Sequence, residues 1–535
     1  MDVDERIELV QKVQGELWED RLNETHRSGC LCEWVSSFRR DRLPCRLADN
    51  DLRYGSYNAG SKFIFGDGTA WLLRFPRVGK VHDSYADEKV AMEVAVIDLI
   101  HRETTIPVPK IQAWGVAAQN PLGLGPFIIM EFIQDGVSLN DLLKDVNGGT
   151  RLLREDVSDD EMETIYRQFA NFLLQLFKLD FDHIGSLDPL TPGLRFPIRP
   201  LTWKAHDILQ TGGVDTFSDR NKGFSSTTKY FQYVAEQDWE QFIRQPNSTY
   251  GRYDAMAKYR SFKALKSLIP SFVHSEYDRT KFKIICDDLG LANLMVRSRQ
   301  DLTVIGVVDL EWSYIGPAQL LGSAPWWLLM DRPTNQAWDC YKGEPTRIVA
   351  RYFRYLDMFK RILEEEEART PGYENKELSQ LVRWSEHSGA MWVHMLITAG
   401  FNDPCSFPFT KLVQHVGTDE WERREREVSE DEVAAFGARK VVQLEQYKCD
   451  LKRTEAHITL VDEGKMRKED FIAIHSLSQA PFSGIKDLRP HDFTEPHSIT
   501  HPSSSAPTSQ STTLGPYEPF PTQSPPRISS GPLYL

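Results

Sequence analysis

The spacing of hydrophobic positions changes after about residue 50. Before that point Ile7, Val10, Val13 and Leu17 recur at roughly helical intervals, with charged and polar residues between them. Apolar residues three to four positions apart form one face of an α-helix. The pattern therefore predicts a helical N-terminal extension over residues 1–50.

Residues 51–135 have a different pattern, in which short β-type runs dominate. Four such runs lie at 61–65, 69–75, 110–115 and 126–132. Gly66-Asp67-Gly68 between the first two is a hairpin signal. An amphipathic helix is predicted at about 84–102, with Asp83 or Ser84 as its N-cap. Ile106-Pro-Val-Pro109 follows this helix, and proline cannot continue it. The region therefore predicts a small lobe that is mostly β with one helix.

The pattern becomes mainly helical after Asp135-Gly136, and this predicts a large lobe over residues 136–475. Helices are predicted at 138–143 and 160–179, and β-type runs return within 281–315. The last forty residues hold nine prolines and only two charged side chains, Glu518 and Arg527. Such a composition buries too little apolar surface to fold, so a disordered tail is predicted over 476–535.

Composition narrows the functional classes. The 535-residue chain carries a net charge of −14, which argues against nucleic-acid binding because that function needs a basic surface. No stretch approaches eighteen uncharged apolar residues, and the acidic amino terminus lacks a signal-peptide pattern. Seven scattered cysteines, including Cys30 and Cys32, form no zinc pattern. We therefore expect a cytoplasmic protein with neither membrane nor nucleic-acid partners.

Two segments carry a pattern suited to phosphoryl transfer: Cys286-Asp-Asp-Leu-Gly-Leu-Ala-Asn293 and Val307-Val-Asp-Leu-Glu-Trp312. That reaction needs metal ions on the phosphates and a carboxylate that takes the proton of the attacking hydroxyl. An Asp with an Asn five residues later, then a second Asp on the end of a strand, supplies those groups. Carboxylate and amide oxygens of this kind suit Mg²⁺.

The same residues resemble the catalytic loop of aminoglycoside phosphotransferases and choline-kinase-like enzymes, which is usually written HxDxxxxN. The resemblance implies that Asp288 is the catalytic base, that Asn293 is a metal ligand and that Asp309 is the main metal-binding carboxylate. The sixteen residues from Asn293 to Asp309 fit a short β-hairpin that brings both to one metal. Tyr314 and Pro325-Trp-Trp-Leu328 are similar to segments downstream of this Asp in fungal members.

The resemblance continues upstream, in order, and covers about residues 51–330. Gly55-Ser56-Tyr57-Asn58 is similar to the loop that covers the phosphates, where backbone N–H groups can face phosphate oxygens. Arg74 stands where the family has the cation for the α- and β-phosphates, and Glu93 matches the helix glutamate that pairs with it. The stretch from Glu131 to Ile133 resembles the hinge that meets adenine. ATP and Mg²⁺ are the cofactors that the resemblance implies.

Three positions depart from the family pattern. Cys286 stands where the family usually has His, and Arg74 replaces Lys. Asp287 lies beside Asp288, but only Asp288 keeps the five-residue spacing to Asn293. Each residue also has a purely structural interpretation. Asp288 could be a turn or cap residue, Asn293 a turn residue and Asp309 a strand-end carboxylate. Arg74 and Glu93 could be solvated charges, and Cys286 a small buried residue.

The sequence therefore predicts an α/β, protein-kinase-like fold with two lobes, and an ATP-dependent phosphotransferase acting on a hydroxyl of a small molecule. The resemblance implies that large-lobe segments at about 203–280 and 330–475 form the wall of the acceptor site. The alternative is a pseudokinase-like binding or regulatory protein. A protein kinase ranks lowest, because neither a GxGxxG loop nor an Ala-Pro-Glu segment is present. Aminoglycosides, choline-like amines, sugars and specialised metabolites remain open as acceptors.

Overall fold

The N-terminal residues form two helices and then enter the first strand earlier than predicted. The computed structural model describes residues 3–145, 151–187, 197–335, 338, 347–400, 404 and 406–477. The predicted tail from 478 onward lies outside this part of the chain. Helices α1 (Glu5–Arg27) and α2 (Cys30–Ser37) confirm the helical start. Strand β1 (Cys45–Tyr54) follows them, within and just after the predicted helical extension, and precedes the first predicted strand at 61–65.

A five-stranded antiparallel sheet forms the small lobe, in the order β1-β2-β3-β5-β4. Its strands are β1 (Cys45–Tyr54), β2 (Asn58–Phe65), β3 (Ala70–Pro76), β4 (Ile111–Gly115) and β5 (Phe127–Glu131). The predicted turn between β2 and β3 is present. Gly68 there has a φ of +85°, a conformation that favours glycine.

Helices cover both faces of this sheet. Helix α3 (Asp83–Glu103) packs Val90 and Val94 against one face, whereas Trp18 of α1 and Val35 of α2 join the apolar cluster on the other. The predicted cap of α3 was wrong by one residue or more. His82 is the N-cap, and its side chain accepts a hydrogen bond from the Ser84 N–H.

The large lobe is mainly helical. Its elements are β6 (Val137–Ser138), α4 (Leu139–Leu143), α5 (Asp159–Phe177), α6 (Trp203–Gly212), α7 (Thr227–Arg244), α8 (Arg252–Leu268), β7 (Lys283–Cys286), β8 (Leu294–Val296), β9 (Val304–Val307), β10 (Ser313–Gly316), α9 (Ala318–Leu321), α10 (Arg347–Arg369), α11 (Glu377–His387), α12 (Ala390–Ala399), α13 (Phe407–Val416), α14 (Thr418–Arg426), α15 (Glu430–Asp462) and α16 (Lys468–Leu477). Helix α5 lies at its centre, with Ile165, Phe169 and Leu174 fully buried.

Two small antiparallel sheets in the large lobe hold the loops that carry the predicted chemistry. Strand β7 pairs with β10, and β8 lies between β6 and β9. The β8–β9 pairing confirms the predicted hairpin, and the Val308 N–H donates to the Asn293 carbonyl at 3.0 Å. The segment 287–293 therefore begins at the end of β7 and runs directly into β8.

The described residues thus have the two-lobed, mixed α/β architecture of the protein-kinase-like fold, as the sequence predicted. Within them, no helix combines the length and the apolar character needed to cross a membrane.

Candidate active site

The segment after β7 carries Asp288, which lines the cleft between the lobes, and Asn293, which is buried behind it. The Leu289 N–H donates to the Cys286 carbonyl at 3.0 Å, which turns the chain away from the strand. Asn293 is 1 % exposed, and its Nδ2 donates to the backbone oxygen of Asp288 at 2.9 Å. Its Oδ1 is buried and has no hydrogen-bond partner among the described residues. A buried acceptor without a partner is costly, so this oxygen is suited to a ligand.

Asp309 follows β9 and meets the small lobe through Arg74. Its Oδ1 lies 2.8 Å from Nη2 of Arg74, whose Nη1 lies 3.0 Å from Oε1 of Glu93. Arg74 and Glu93 are almost fully buried. Burial raises the pKa of Asp309 to about 7, although the charge of Arg74 acts in the opposite direction. Asp309 also has a φ of +56°, a strained conformation for a residue other than glycine.

Asp309 and Asn293 together fit Mg²⁺ through their donor chemistry. Both offer hard oxygen atoms, and the unpartnered Oδ1 of Asn293 belongs to the residue predicted as a ligand. Within the described ranges, no group of three or more His, Cys, Asp or Glu side chains could hold a metal. Mg²⁺ in nucleotide sites is commonly held by one or two protein groups plus phosphate oxygens and water, so two protein ligands suffice.

A buried network beside this pair was missed by the sequence analysis. Lys89, one helical turn before Glu93, is 1 % exposed and forms an ion pair with Oε2 of Glu311. Asn58 joins the two groups, since its Oδ1 lies 3.1 Å from the Lys89 Nζ and its Nδ2 donates to Glu311 at 2.8 Å. Burial opposes ionisation of Glu311, but the charges of Lys89 and Arg74 and the hydrogen bonds from Lys89 and Asn58 together outweigh it, so the pKa of Glu311 is lowered.

The predicted phosphate loop is a tight turn between β1 and β2. The Gly55 N–H donates to the Asn58 carbonyl at 2.8 Å, and Nη1 of Arg77 donates to the Gly55 carbonyl at 2.7 Å. The Tyr57 hydroxyl accepts a 2.6 Å hydrogen bond from Nε1 of Trp203 on α6, so the loop is fastened to the large lobe. The side chain of Asn58 is fully engaged inside the protein. Any phosphate contact at this position would therefore use the backbone.

The predicted hinge residues lie apart from the other candidates. Glu131 is the last residue of β5 and is exposed. It lies opposite Trp71 of the neighbouring strand β3. A Cβ placed on Gly306 would come within 2.2 Å of Cδ1 of Ile133, so this side chain packs against β9. A cavity lies between the two lobes. Gly55, Ser56 and Asn58 line this cavity, whereas Glu131 and Ile133 do not. The structure therefore brings the phosphate-side candidates together and leaves the hinge candidates outside that space.

A cavity of about 640 Å³ lies between the lobes, and both predicted acceptor-site segments contribute to its wall. Residues of the predicted phosphate loop line this cavity together with aromatic and charged side chains of the large lobe. The latter include Trp203, Asp207, Tyr250, Lys258, Trp326, Asp331 and Arg332. The cavity contains Asp288 but not Asp287, which agrees with the choice of Asp288 by spacing. Partial burial raises the pKa of Asp288, and Arg332 acts against that rise.

Arg332 is a second residue that no motif indicated. Its Nη2 lies 3.1 Å from Oδ1 of Asp288 and 2.8 Å from the backbone oxygen of Asp287. Its guanidinium carbon lies 3.9 Å from the centre of the Trp326 ring. Cys286, in the position of the family's His, is half-buried, and desolvation raises the pKa of its thiol to about 12.

Sequence comparison identifies short stretches of similarity. No protein-family model matches the chain. The protein named Altered inheritance of mitochondria protein 9, mitochondrial, from Zygosaccharomyces rouxii is 31% identical over 101 residues, which is 19% of this chain and 16% of that protein. Its namesake from Komagataella phaffii is 30% identical over 108 residues, or 20% of this chain and 16% of that protein. The matches thus span about a sixth of these relatives.

Structural comparison extends over most of the chain at low identity. An aminoglycoside phosphotransferase structure from Ralstonia eutropha matches with a TM-score of 0.37 and 13% identity, covering 77% of this chain and 97% of that one. A type I macrolide 2'-phosphotransferase matches with a TM-score of 0.34 and 11% identity, covering 76% and 95%. An amicoumacin kinase in complex with AMP-PNP and Ca²⁺ matches with a TM-score of 0.31 and 9% identity, covering 71% and 88%. These three structures each align with about three quarters of this chain, at TM-scores of 0.31 to 0.37.

Proposed function

We propose that this protein is an ATP- and Mg²⁺-dependent phosphotransferase that acts on a hydroxyl group of a small molecule. The observation that carries the proposal is the convergence of Arg74, Asp288 and Asp309 on one cavity, in the order and spacing that the chemistry needs. Asn293 is buried next to this cavity, where its side chain donates to the Asp288 backbone oxygen. Asp309 and Asn293 would hold Mg²⁺, which supplies charge neutralisation at the phosphates.

The roles of the side chains follow from their positions. Asp288 is the carboxylate that faces the cavity and would accept the proton of the acceptor hydroxyl. Arg74 would bind phosphate oxygens, and its pairing with Glu93 keeps the guanidinium in place. The loop Gly55-Ser56-Tyr57-Asn58 would offer backbone N–H groups to the phosphates, and the region of Glu131 and Ile133 would meet adenine through its backbone.

Thermal unfolding with ATP, with Mg²⁺ and with both tests the nucleotide site. A ligand that binds only the folded state adds about 2.7 kcal/mol at a hundredfold excess over its Kd. We expect a shift that needs both ligands, that disappears in Asp309→Ala and that persists in the exposed control Asp301→Asn. Absence of any shift in the wild-type protein contradicts the proposal.

Turnover tests the role of Asp288 separately. Asp288→Asn keeps the size and the hydrogen-bonding reach of the side chain but removes the base. We expect it to retain the thermal shift with ATP and Mg²⁺ and to lose phosphate transfer across a panel of hydroxyl acceptors. Unchanged transfer in this variant would show that Asp288 is not the base.

A catalytically inactive, pseudokinase-like protein is the second candidate. Two observations favour it: Arg74 engages the carboxylate of Asp309 directly, and a half-buried Cys286 replaces the family's His. In that case ATP would bind equally well with and without Mg²⁺, Asp309→Ala would not weaken binding, and no acceptor would be phosphorylated.

The location of the protein in the cell is a separate question, for which two expectations exist. The sequence predicts a cytoplasmic protein, whereas two yeast proteins with local similarity carry the word mitochondrial in their names. Fractionation of cells that express the full chain with a C-terminal tag gives the answer. Recovery in the cytosol supports the first expectation, and recovery with mitochondria replaces it.

A further inference from the structure

Arg332 lies beside Asp288, the candidate base, at the cavity between the lobes. Arg332 follows the short helical turn Trp326–Leu329 and belongs to none of the sequence motifs described above. One nitrogen, Nη2, contacts both Oδ1 of Asp288 and the Asp287 carbonyl. The residue also lines the cavity between the lobes. Arg332 therefore contacts the candidate base and the cavity at the same time.

The guanidinium of Arg332 is held in a defined orientation. It stacks on Trp326 at 3.9 Å and faces the ring of Trp203 at 5.6 Å. Trp326 is itself fixed against the loop of the candidate base, because a Cβ on Gly290 would come within 3.3 Å of its indole. The ion pair is partly shielded, with the Arg332 side chain 20% exposed. Stacking of this kind suits arginine and not lysine.

Two of the three guanidinium nitrogens remain available. Nε and Nη1 form no hydrogen bond with any residue in the part of the chain that the structure describes. Arg74, by contrast, is committed to Glu93 and Asp309 on the opposite side of the cavity. Other cations line the cavity, including Lys144, Arg151 and Lys258, but among the described residues Arg332 is the cation that pairs with Asp288. A planar guanidinium matches the oxygen atoms of a phosphoryl group.

We propose that Arg332 orients Asp288 through Nη2 and binds an oxygen of the transferred phosphoryl group through Nε and Nη1. This inference rests on the proposed function, since it assigns a partner to the same site. It makes Arg332 the cation on the acceptor side of the phosphoryl group, opposite Arg74. It also explains why a charged side chain is stacked between aromatic rings at the mouth of the loop that carries the base.

A binding measurement tests this role without any need for turnover. The full-length protein is unfolded thermally with Mg²⁺ and ADP, and then with aluminium fluoride added as a planar mimic of the transferred phosphoryl group. Arg332→Ala is compared with the wild-type protein and with Arg354→Ala, a control at an exposed arginine that pairs with Asp159. Circular dichroism and melting without ligand establish that each variant is folded.

We expect all three proteins to show the same shift with Mg²⁺ and ADP. The additional stabilisation by aluminium fluoride should fall only in Arg332→Ala, with an affinity for the anion about ten- to a hundredfold lower, since hydrogen bonds to charged groups have that strength. Arg332→Lys keeps the positive charge but lacks the planar guanidinium with its several N–H donors, so it should recover part of the lost affinity. It also serves as the test variant if Arg332→Ala does not fold.

The other outcomes overturn the inference. An equal response to aluminium fluoride in wild type and Arg332→Ala shows that Arg332 does not touch the phosphoryl group. A stronger response in Arg332→Ala shows that the side chain blocks the site instead of completing it. A wild-type protein with no shift from Mg²⁺ and ADP overturns the proposed function itself, and the role of Arg332 with it.

Discussion

Lys89→Met should destabilise the protein strongly, and in a manner that depends on pH. The ammonium group of Lys89 is buried against Glu311 and Asn58, where water cannot replace it. Removing one partner of a buried ion pair leaves an unpaired charge, which typically costs about 3–5 kcal/mol. The cost has a ceiling, because Glu311 can bind a proton instead. Neutralising a carboxyl with an ordinary pKa of 4.5 at pH 7 costs about 3.4 kcal/mol.

Because protonation of Glu311 limits the loss of stability in Lys89→Met, that loss depends on pH. In the wild-type protein the lowered pKa of Glu311 contributes stability above the unfolded pKa, and this contribution is lost as the pH falls. In Lys89→Met burial dominates, so the deficit is largest where Glu311 would be ionised in the unfolded chain. Between pH 7 and pH 5 the cost of neutralisation falls by about 2.7 kcal/mol. The deficit should therefore shrink from about 3–4 kcal/mol to about 1 kcal/mol.

Urea denaturation at both pH values measures the difference. Lys80→Met, at an exposed lysine close to the start of α3, is the matched control and should change stability little. Lys89→Met combined with Glu311→Gln removes both charges and should recover most of the deficit at pH 7. A deficit below about 1 kcal/mol at pH 7, or a double variant no better than the single one, would refute the buried ion pair.

Three further changes test other parts of the structure. Tyr57→Phe leaves the Trp203 indole N–H without its acceptor and should cost about 1–3 kcal/mol in urea denaturation, whereas no loss would contradict the fastening of the loop to α6. Phe471→Ala empties a fully buried position between α1 and α16 and should cost about 3–5 kcal/mol, with earlier proteolysis near α16. A maleimide at pH 8 should label exposed Cys30 well before Cys286, which is half-buried; rapid labelling of Cys286 would show that the site opens.

The sequence predicted the parts of the site that depend on spacing along the chain. Asp288 and Asn293 belong to one short loop, and the β8–β9 hairpin brings Asp309 to them, so the distance along the sequence decides the distance in space. The strands of the small lobe were found for a similar reason, because alternating apolar residues and a Gly-Asp-Gly turn are local signals. Strand β1 was missed because its residues Cys45–Tyr54 include many polar and charged side chains.

The sequence could not predict contacts between distant segments. Lys89 and Glu93 lie on the same helix, and nothing local separates a lysine buried against Glu311 from one on a solvated face. Arg332 reaches Asp288 from 44 positions along the chain. Asn58 was assigned to the phosphates by resemblance, whereas its side chain joins Lys89 to Glu311. In each case the partner is set by the packing of the two lobes, which no single segment encodes.

Helix α1 contacts both lobes and is not merely an extension at the edge of the fold. Near its start, the Asp4 N–H donates to the Thr211 carbonyl of α6 at 2.8 Å, and Tyr447 of α15 accepts a hydrogen bond from the Glu5 N–H at 3.1 Å. In its second half, Trp18 is buried beneath the small-lobe sheet and donates to the Leu124 carbonyl at 3.0 Å.

The same helix reaches the phosphate loop, because Glu19 pairs with Arg77 at 3.3 Å and Arg77 binds the Gly55 carbonyl. The loop is therefore held from two directions, by α1 through Arg77 and by α6 through Trp203 and Tyr57. A rotation of the small lobe away from the large lobe would have to break contacts at both points. We infer that α1 limits how far the cleft opens, so the loop keeps much of its arrangement before any nucleotide arrives.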